Sequence, residues 1–578
     1  MSLADARSSQ TTLLHRIQTH LGDDVLIAEG FQGAETLSGG FSYTLTAYSE
    51  TRHDLTASDL VGTPVTFDLA QSTPEHGEGG VRYFNGIVSS LRPQGRVRDD
   101  QRSIYRLTVV SWLWLLEQVT DCRVFQNQSI PEVLEAVCGE WSGVGGADFS
   151  KVDFGAHAER RFLVQYNETT RNFLDRLCRR AGIAYYTTHD NGAHTVHFID
   201  DGWLCPPLEQ RELVVRSGET VDHDALTGWR REEQLTGGAT THVTYNYTDP
   251  VAQTAEAQAP DAVQQLAGVE HLDSVAYNEE FDDPAEGDHV ARVAMNRCAQ
   301  RQDVITASGD YRFLQTGHNV TVTGPGGEDG PAPGEEFTLT AVELSAHNDR
   351  GVTTAIEAVP VGRLVYPEGE RPTIASLQTA VVTGPEGAEI HTDALGRVRV
   401  QFHWDRHGAH NERSSCWLRV MQGVAGPGFG MHFLPRVGQE VVVAFENGHP
   451  DRPFVMGALY HPGHRPPYAN EPTRSGIRTR STKGGNPDEA NELRFDDAKG
   501  SEEVFLQAEK DLTVNIKNDI NRRVANNVTD TVGGAVKVSA DDRIELAVGG
   551  NSVVIDNGGV TINGVKLDVA TSQTDLNS

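Results

Sequence analysis

From residue 503 the sequence reads, in blocks of eight, EVFLQAEK, DLTVNIKN, DINRRVAN, NVTDTVGG, AVKVSADD, RIELAVGG, NSVVIDNG and GVTING, ending at residue 564. The second position of each block is Val504, Leu512, Ile520, Val528, Val536, Ile544, Ser552 and Val560, apolar in all but Ser552. Two residues on, the series is Leu506, Val514, Arg522, Asp530, Val538, Leu546, Val554 and Ile562. Four residues on, it is Ala508, Ile516, Val524, Val532, Ala540, Val548, Asp556 and Gly564. Apolar residues at alternate positions describe strands with one face turned inward. Lys, Asn, Asp and Gly at the block ends describe turns. Eight residues hold one short strand and a corner. A lone chain using three strands per coil would make fewer than three coils, marginal for a repeat fold. Three chains wound together give a triangular prism on the order of 40 Å long at about 4.8 Å per strand. The spacing therefore predicts a homotrimeric β-helix over 501–567. Its axial core would be Val504, Leu506, Leu512, Val514, Ile516, Ile520, Val528, Val532, Val536, Val538, Ile544, Leu546, Val548, Val560 and Ile562. The alternatives are a solvated β-tail and a monomeric solenoid.

Upstream, residues 469–500 form a neck carrying Arg474, Arg478, Arg480 and Lys483, either a solvated basic face or an inter-chain salt-bridge site. Residues 375–468 read as all-β, with strands in GRVRVQF (396–402), CWLRV (416–420), EVVVAF (440–445) and FVMGAL (454–459) separated by Gly/Pro clusters. About five short strands in so short a span suit a small barrel of the oligonucleotide/oligosaccharide-binding (OB) type. Residues 1–374 mix strands with helices. FSYTLTA (41–47), VTF (65–67) and YRLTVV (105–110) alternate with period two, as do VTV (320–322) and FTLTA (337–341), which flank a Gly/Pro loop at 324–334. One helix starts at Pro131 with Val133, Leu134, Val137, Cys138 and Trp141 on one stripe; a second runs from Asn167 as N-cap to Gly182. The fold class is mainly β: a mixed α+β region over 1–374, an OB barrel and a C-terminal trimeric β-prism.

Charge excludes several functions. Against 49 Lys and Arg stand 81 Asp and Glu, a net charge of −32. That disfavours nucleic acid and anionic membrane surfaces as partners. The excess sits in residues 1–374, where 55 acids face 28 bases (−27) and Lys151 is the one lysine. The barrel is neutral, with eight of each, and lacks a basic groove lined by aromatics. Trp112, Trp114 and Trp404 are read as packing residues. The N-terminal residues lack the apolar core of a secretory signal, and no apolar run approaches a membrane span. Six scattered cysteines without a C-x-x-C pair suit a reducing compartment and buried thiols.

Catalytic patterns are weak. His403, His407 and His410 have helical metal-site spacing, but Phe402 ends a strand and Gly408 marks a turn, so they read as loop residues at the barrel rim. No H-E-x-x-H, G-x-S-x-G or P-loop motif occurs. The acidic run EEFDDPAEGD (279–288) lacks the spacing of an EF-hand and reads as an exposed loop. The interval 466–500 is too short for a hydrolase core. The expectation is no enzyme, no cofactor and no metal.

Specific runs resemble the VgrG family, the spike proteins of the bacterial type VI secretion system. They are YFNGIV (83–88), YRLTVVSWLWLL (105–116), CRVFQ (122–126), QYNE (165–168), GIAYY (182–186), GRVRVQFHWD (396–405), WLRV (417–420), PRVGQE (435–440) and GHPDRP (448–453). The resemblance implies a fused phage-like tail hub and needle that punctures target envelopes to deliver effectors. It further implies a hexameric Hcp tube ring at the base, a PAAR-repeat tip protein at the distal end, and effector or adaptor cargo. Such a protein is assembled in the bacterial cytoplasm and leaves through the type VI apparatus without a signal peptide. The polar tail, 568–578, leaves room for a separate tip protein, whose contacts would include Ile562, Val565 and Leu567. The hub and spike of a phage tail or another contractile particle is the alternative. The run from Arg397 to Asp405 and the fusion of hub to needle favour type VI secretion.

Overall fold

The computed structural model describes residues 10, 13–49, 54–70, 80–96, 102–216, 225–277, 281, 283–326 and 330–572. Residues 573–578 of the tail, Glu279, Glu280 and Asp282 of the acidic run, and 327–329 of the Gly/Pro loop lie outside the described residues. The chain divides into two compact units. One holds 1–474 with 482–485, and the other holds 475–481 with 486–578.

In the first unit, period-two sequences build a twelve-stranded sheet. His15–Gln18, Pro64–Ala70, Val81–Arg96, Ser103–Val110, Gly40–Ser49, Ile27–Thr36, Glu335–His347, Gly351–Pro360, Asp303–Gly309 and Leu226–Glu233 lie side by side in that order. Pro207–Val214 and Asn319–Thr323 join it through Glu335–His347. Ile27–Thr36 pairs antiparallel with Glu335–His347, placing Gly33 opposite Leu344, so the two ends of the hub sequence close on each other. One core gathers Phe31, Tyr43, Phe67, Phe84 and Leu107, another Leu213, Ile305, Val322 and Leu339.

The two helices pack on a separate sheet of Gly146–Lys151, Ala193–Ile199 and Ala184–Asp190 around Trp112, Leu134, Phe173 and Phe198. Ile130–Gly139 is capped by Ser129, whose hydroxyl and the Glu132 carboxylate form a capping box. The second helix, Thr170–Ala181, starts later than the sequence pattern suggests: Thr169 is the N-cap, accepting from the Asn172 N–H at 3.1 Å. Asn167 instead lies in the strand Leu163–Thr169 at φ 47°, its side chain accepting from the Cys122 thiol. A hydroxyl two residues on was the better-placed acceptor for the helix N–H groups. Gly182 stops the helix at φ 74°, a left-handed value that favours glycine.

The barrel's ladder runs Arg399–Phe402, Gln378–Thr383, Glu440–Phe445 and Pro453–Ala458. The expected strand at 416–420 is not a ladder strand. It touches its neighbours only at single bridges, Val398 to Leu418 and Val420 to Val455, and these close the circle around Val382, Val400, Phe402, Leu418 and Val443. The Gly/Pro-rich stretch after it ends the pairing early. Gln378–Thr383 was not foreseen, because QTAVVT sits among polar and glycine residues without clear alternation. Hub residues Phe162 and Val164 enter this barrel core, and the Val164 N–H donates to Asp451 at 2.8 Å. Hub and barrel therefore share part of a core.

Two smaller expectations are corrected. The end of the acidic run is not a loop: 284–288 open the helix Pro284–Ala299, which Asp283 caps, accepting from the Glu286 N–H at 3.0 Å. Cys298, on that helix, is exposed, whereas Cys138, Cys178 and Cys205 are buried; the six thiols are unbridged. Trp112 is fully buried and Trp404 stacks on Phe402, both as packing residues.

The second unit contains two three-stranded antiparallel sheets. Arg474–Arg478, Glu492–Asp496 and Glu503–Gln507 form the first; Arg543–Val548, Asn551–Asp556 and Gly559–Asn563 form the second. Strands were expected in every block of eight, but none forms between 508 and 542 in the single chain. Among the described residues no backbone–backbone hydrogen bond joins 511–542. An eight-residue block turns its corner before it can fold back, so this stretch has no intrachain neighbour to pair with.

Candidate functional site

The repeat presents an apolar surface that its own chain does not cover. Every residue assigned to the axial core is exposed except the half-buried Ile544, from Ile516 at 45% to Val548 at 80%. Val565 and Leu567 are exposed as well, Val565 almost completely. Burying one such side chain contributes roughly 1.5–3 kcal/mol, and monomeric proteins seldom leave so long a contiguous apolar series in water. The unpaired backbone of 511–542 adds donors and acceptors in the same stretch. Bare apolar side chains beside unpaired backbone are the two requirements for strand pairing with other chains.

The flanking sheets show how this surface is framed. Leu493 pairs with Leu506 and Phe495 with Val504, so Leu493 and Phe495 extend the apolar face into the neck. The opposite face is ionic. Arg494 bonds Glu492 at 2.9 Å and Glu503 at 2.8 Å while lying over the Phe505 ring, and Arg478 approaches Glu492 at 3.5 Å. At the far end, two tight turns, Gly549-Gly550 and Asn557-Gly558, fold three strands into a meander. Asp556 accepts from the Gly558 N–H at 2.8 Å and fixes the second turn. Antiparallel pairing sets Ile544 opposite Ile555, Leu546 opposite Val553, and Val553 opposite Ile562. The apolar face therefore passes through Val553 and Ile555, while Val554 points the other way and is 7% exposed. Stepping by eight had landed on Ser552, Val554 and Asp556. The signal was the Ser552 break itself, with Val553 and Ile555 beside it. Leu493 and Phe495 carried a period-two signal that the basic residues around them obscured.

His403, His407 and His410 are exposed on a turn in which Asp405 accepts from the His407 N–H at 3.1 Å. Among the described residues no group of three or more His, Cys, Asp or Glu side chains is placed to hold a metal ion. Burial pushes the Cys416 thiol up to about 12, against the opposing pull of Arg399. That makes it a poor nucleophile at neutral pH.

Family comparisons divide the chain in three. Residues 34–350 match the phage tail baseplate hub family, 378–460 the type VI secretion system/phage-baseplate injector OB domain, and 475–568 the bacteriophage T4 gp5 C-terminal trimerisation domain. The chain is 33% identical to the type VI secretion system spike protein VgrG1b of Pseudomonas aeruginosa, over 91% of this chain and 71% of that one. It is 32% identical to VgrG1a of the same organism, over 88% and 79%. The actin cross-linking toxin VgrG1 of Vibrio cholerae is 28% identical, and the match spans 51% of that longer protein. Among solved structures, an Escherichia coli type VI component described as similar to the T4 tail proteins gp27 and gp5 shares the fold. It matches with a TM-score of 0.53 and 20% identity, over 77% of this chain and all of that one. The Francisella PdpA–VgrG complex, half-lidded, gives a TM-score of 0.54 at 8% identity over 93% of this chain and 83% of that one.

A tail hub, an injector barrel and a trimerisation repeat in one chain define the central spike of a contractile injection machine. The type VI proteins match nearly the full length, whereas the phage names attach to its parts. The chain belongs to the VgrG family of type VI secretion system spike proteins.

Proposed function

We propose that three copies of this chain wind their repeats into a β-helical needle and work mechanically rather than as an enzyme. The observation that carries this reading is the uncovered apolar series from Val504 to Ile562, whose middle stretch, 511–542, has no backbone partner among the described residues. The match of 475–568 to a trimerisation domain supports three as the number of copies. In this reading the domains are hub 1–374, barrel 375–468, neck 469–500, needle 501–567 and tail 568–578. The hub sits on the hexameric Hcp ring of the tube, and the needle end, through Ile562, Val565 and Leu567, takes a PAAR-repeat tip. The Francisella complex, in which a VgrG is joined to PdpA, supports partner binding by this fold. Effector or adaptor proteins would travel on the spike, and the envelope is breached by force. Nucleic acid has no part in it. The spike is assembled in the cytoplasm and leaves through the apparatus. No helix among the described residues is long and apolar enough to cross a membrane. The test is Val536→Asp in the full chain, which would place a carboxylate from each of three chains in one dry layer. Gel filtration should show loss of the trimer. Unchanged assembly with unchanged melting would contradict the inward assignment.

A further inference from the structure

A cavity of about 390 Å³ lies in the first unit, where hub loops meet the barrel. That is the size of a small-molecule pocket. Four barrel arginines line it, Arg397, Arg399, Arg419 and Arg452, with Tyr247 and Trp417 among the aromatic walls. The lining is cationic in a chain whose net charge is −32. Its two carboxylates are engaged: Glu446 pairs with Arg419, and Asp451 accepts from the Val164 N–H. Arg397 is likewise held, by Asp393 at 2.6 Å and by the Tyr247 hydroxyl at 2.7 Å. Arg419 lies over the Tyr247 ring, 4.4 Å from its centre.

Arg399 differs. Its guanidinium lies over Trp417, 4.7 Å from the ring centre, and donates to the Glu412 carbonyl. Its Nε has no hydrogen-bond partner, and no carboxylate among the described residues pairs with it. Burial, with Arg397 nearby, holds its pKa below the ordinary arginine value against the weaker pull of Cys416 and Glu412. A guanidinium offers a planar fork matched to two oxygens of one anion, and such charge-assisted pairs strengthen in a dry pocket.

We propose that this cavity is an oxyanion socket that takes one carboxylate or phosphate group on the Arg399 guanidinium. The group can come from a free small anion or from an acidic side chain of a second copy of this chain. The second source rests on the trimer reading; the first does not. Inorganic pyrophosphate titrated calorimetrically into the full-length chain in low-chloride buffer separates them. If the source is free anion, about one pyrophosphate binds per chain. Arg399→Gln then weakens binding about tenfold or more, and Arg92→Gln, on the exposed end of Val81–Arg96, does not. If the source is a second copy, the assembled wild type binds no pyrophosphate because the socket is filled. Arg399→Gln then dissociates on dilution at concentrations where the wild type stays assembled. Should Arg399→Gln fail to fold, Arg399→Lys replaces it, with the same losses in weaker form, since lysine keeps the charge without the fork. Absence of pyrophosphate binding together with unchanged assembly of the folded variant overturns the socket. If the wild type is a monomer, the trimer reading fails alone, and absence of pyrophosphate binding to that monomer overturns the socket separately.

Discussion

Glu35 is buried in the hub core, where burial raises a carboxyl's pKa. The neighbouring Arg82 guanidinium at 2.9 Å, with His189 and the Tyr43 hydroxyl, nevertheless holds it down to about 2. Arg82 also lies over the Phe84 ring, joining the ion pair to the stack of Phe67, Phe84 and Tyr43. Removing one member of a buried pair leaves the other uncompensated. Arg82→Met should therefore lower hub stability by about 3–5 kcal/mol in denaturant titrations of the full chain. The same core sets a pH dependence. Burial lowers His15 to about 4 and His194 to about 3, so below pH 6.5 the unfolded chain takes up those protons first. Glu35, depressed from 4.5 to about 2, contributes stability above 4.5 that is lost as pH falls toward 2. All three act in one direction. The hub's melting temperature should fall steadily from pH 6.5 downward, and a flat profile between 6.5 and 3 would contradict these assignments. Nothing in the sequence marked this network. Glu35, Arg82 and His189 are far apart in the chain, and only the pairing of hub strands brings them together.

At the scale of elements, the repeat was legible because a period of eight with apolar alternation admits few arrangements. What periodicity could not supply was phase: a two-residue Gly-Gly turn reverses the chain and sets Val553 and Ile555, rather than Ser552 and Val554, on one face with Leu546 and Ile544. Two substitutions one residue apart separate these. Val553→Asp should abolish assembly seen by gel filtration, as Val536→Asp should. Ser552→Asp, off the apolar face, should leave assembly intact; equal effects of the two would place the face wrongly. The barrel was legible in its strand sequences but not in its closure, since the 416–420 segment closes the ring through single bridges with no strand-length pattern. Helix ends followed local chemistry: Thr169, two residues after Asn167, holds the Asn172 N–H and begins the helix.

For the whole molecule, composition located the charge before any fold was known, and the fold gives it a consequence. In the proposed trimer, a hub carrying −27 sits beside two copies of itself. Self-repulsion is felt over about 30 Å at 0.01 M salt and about 8 Å at 0.15 M. The assembly should thus dissociate on dilution more readily at the lower salt, as sedimentation velocity would report. The most direct test of the account is the mass of the full-length chain in solution at 0.15 M salt, by light scattering coupled to size exclusion. The account predicts a single species of three times 63.0 kDa. A species of 63.0 kDa, with the apolar series still bare to water, would contradict it.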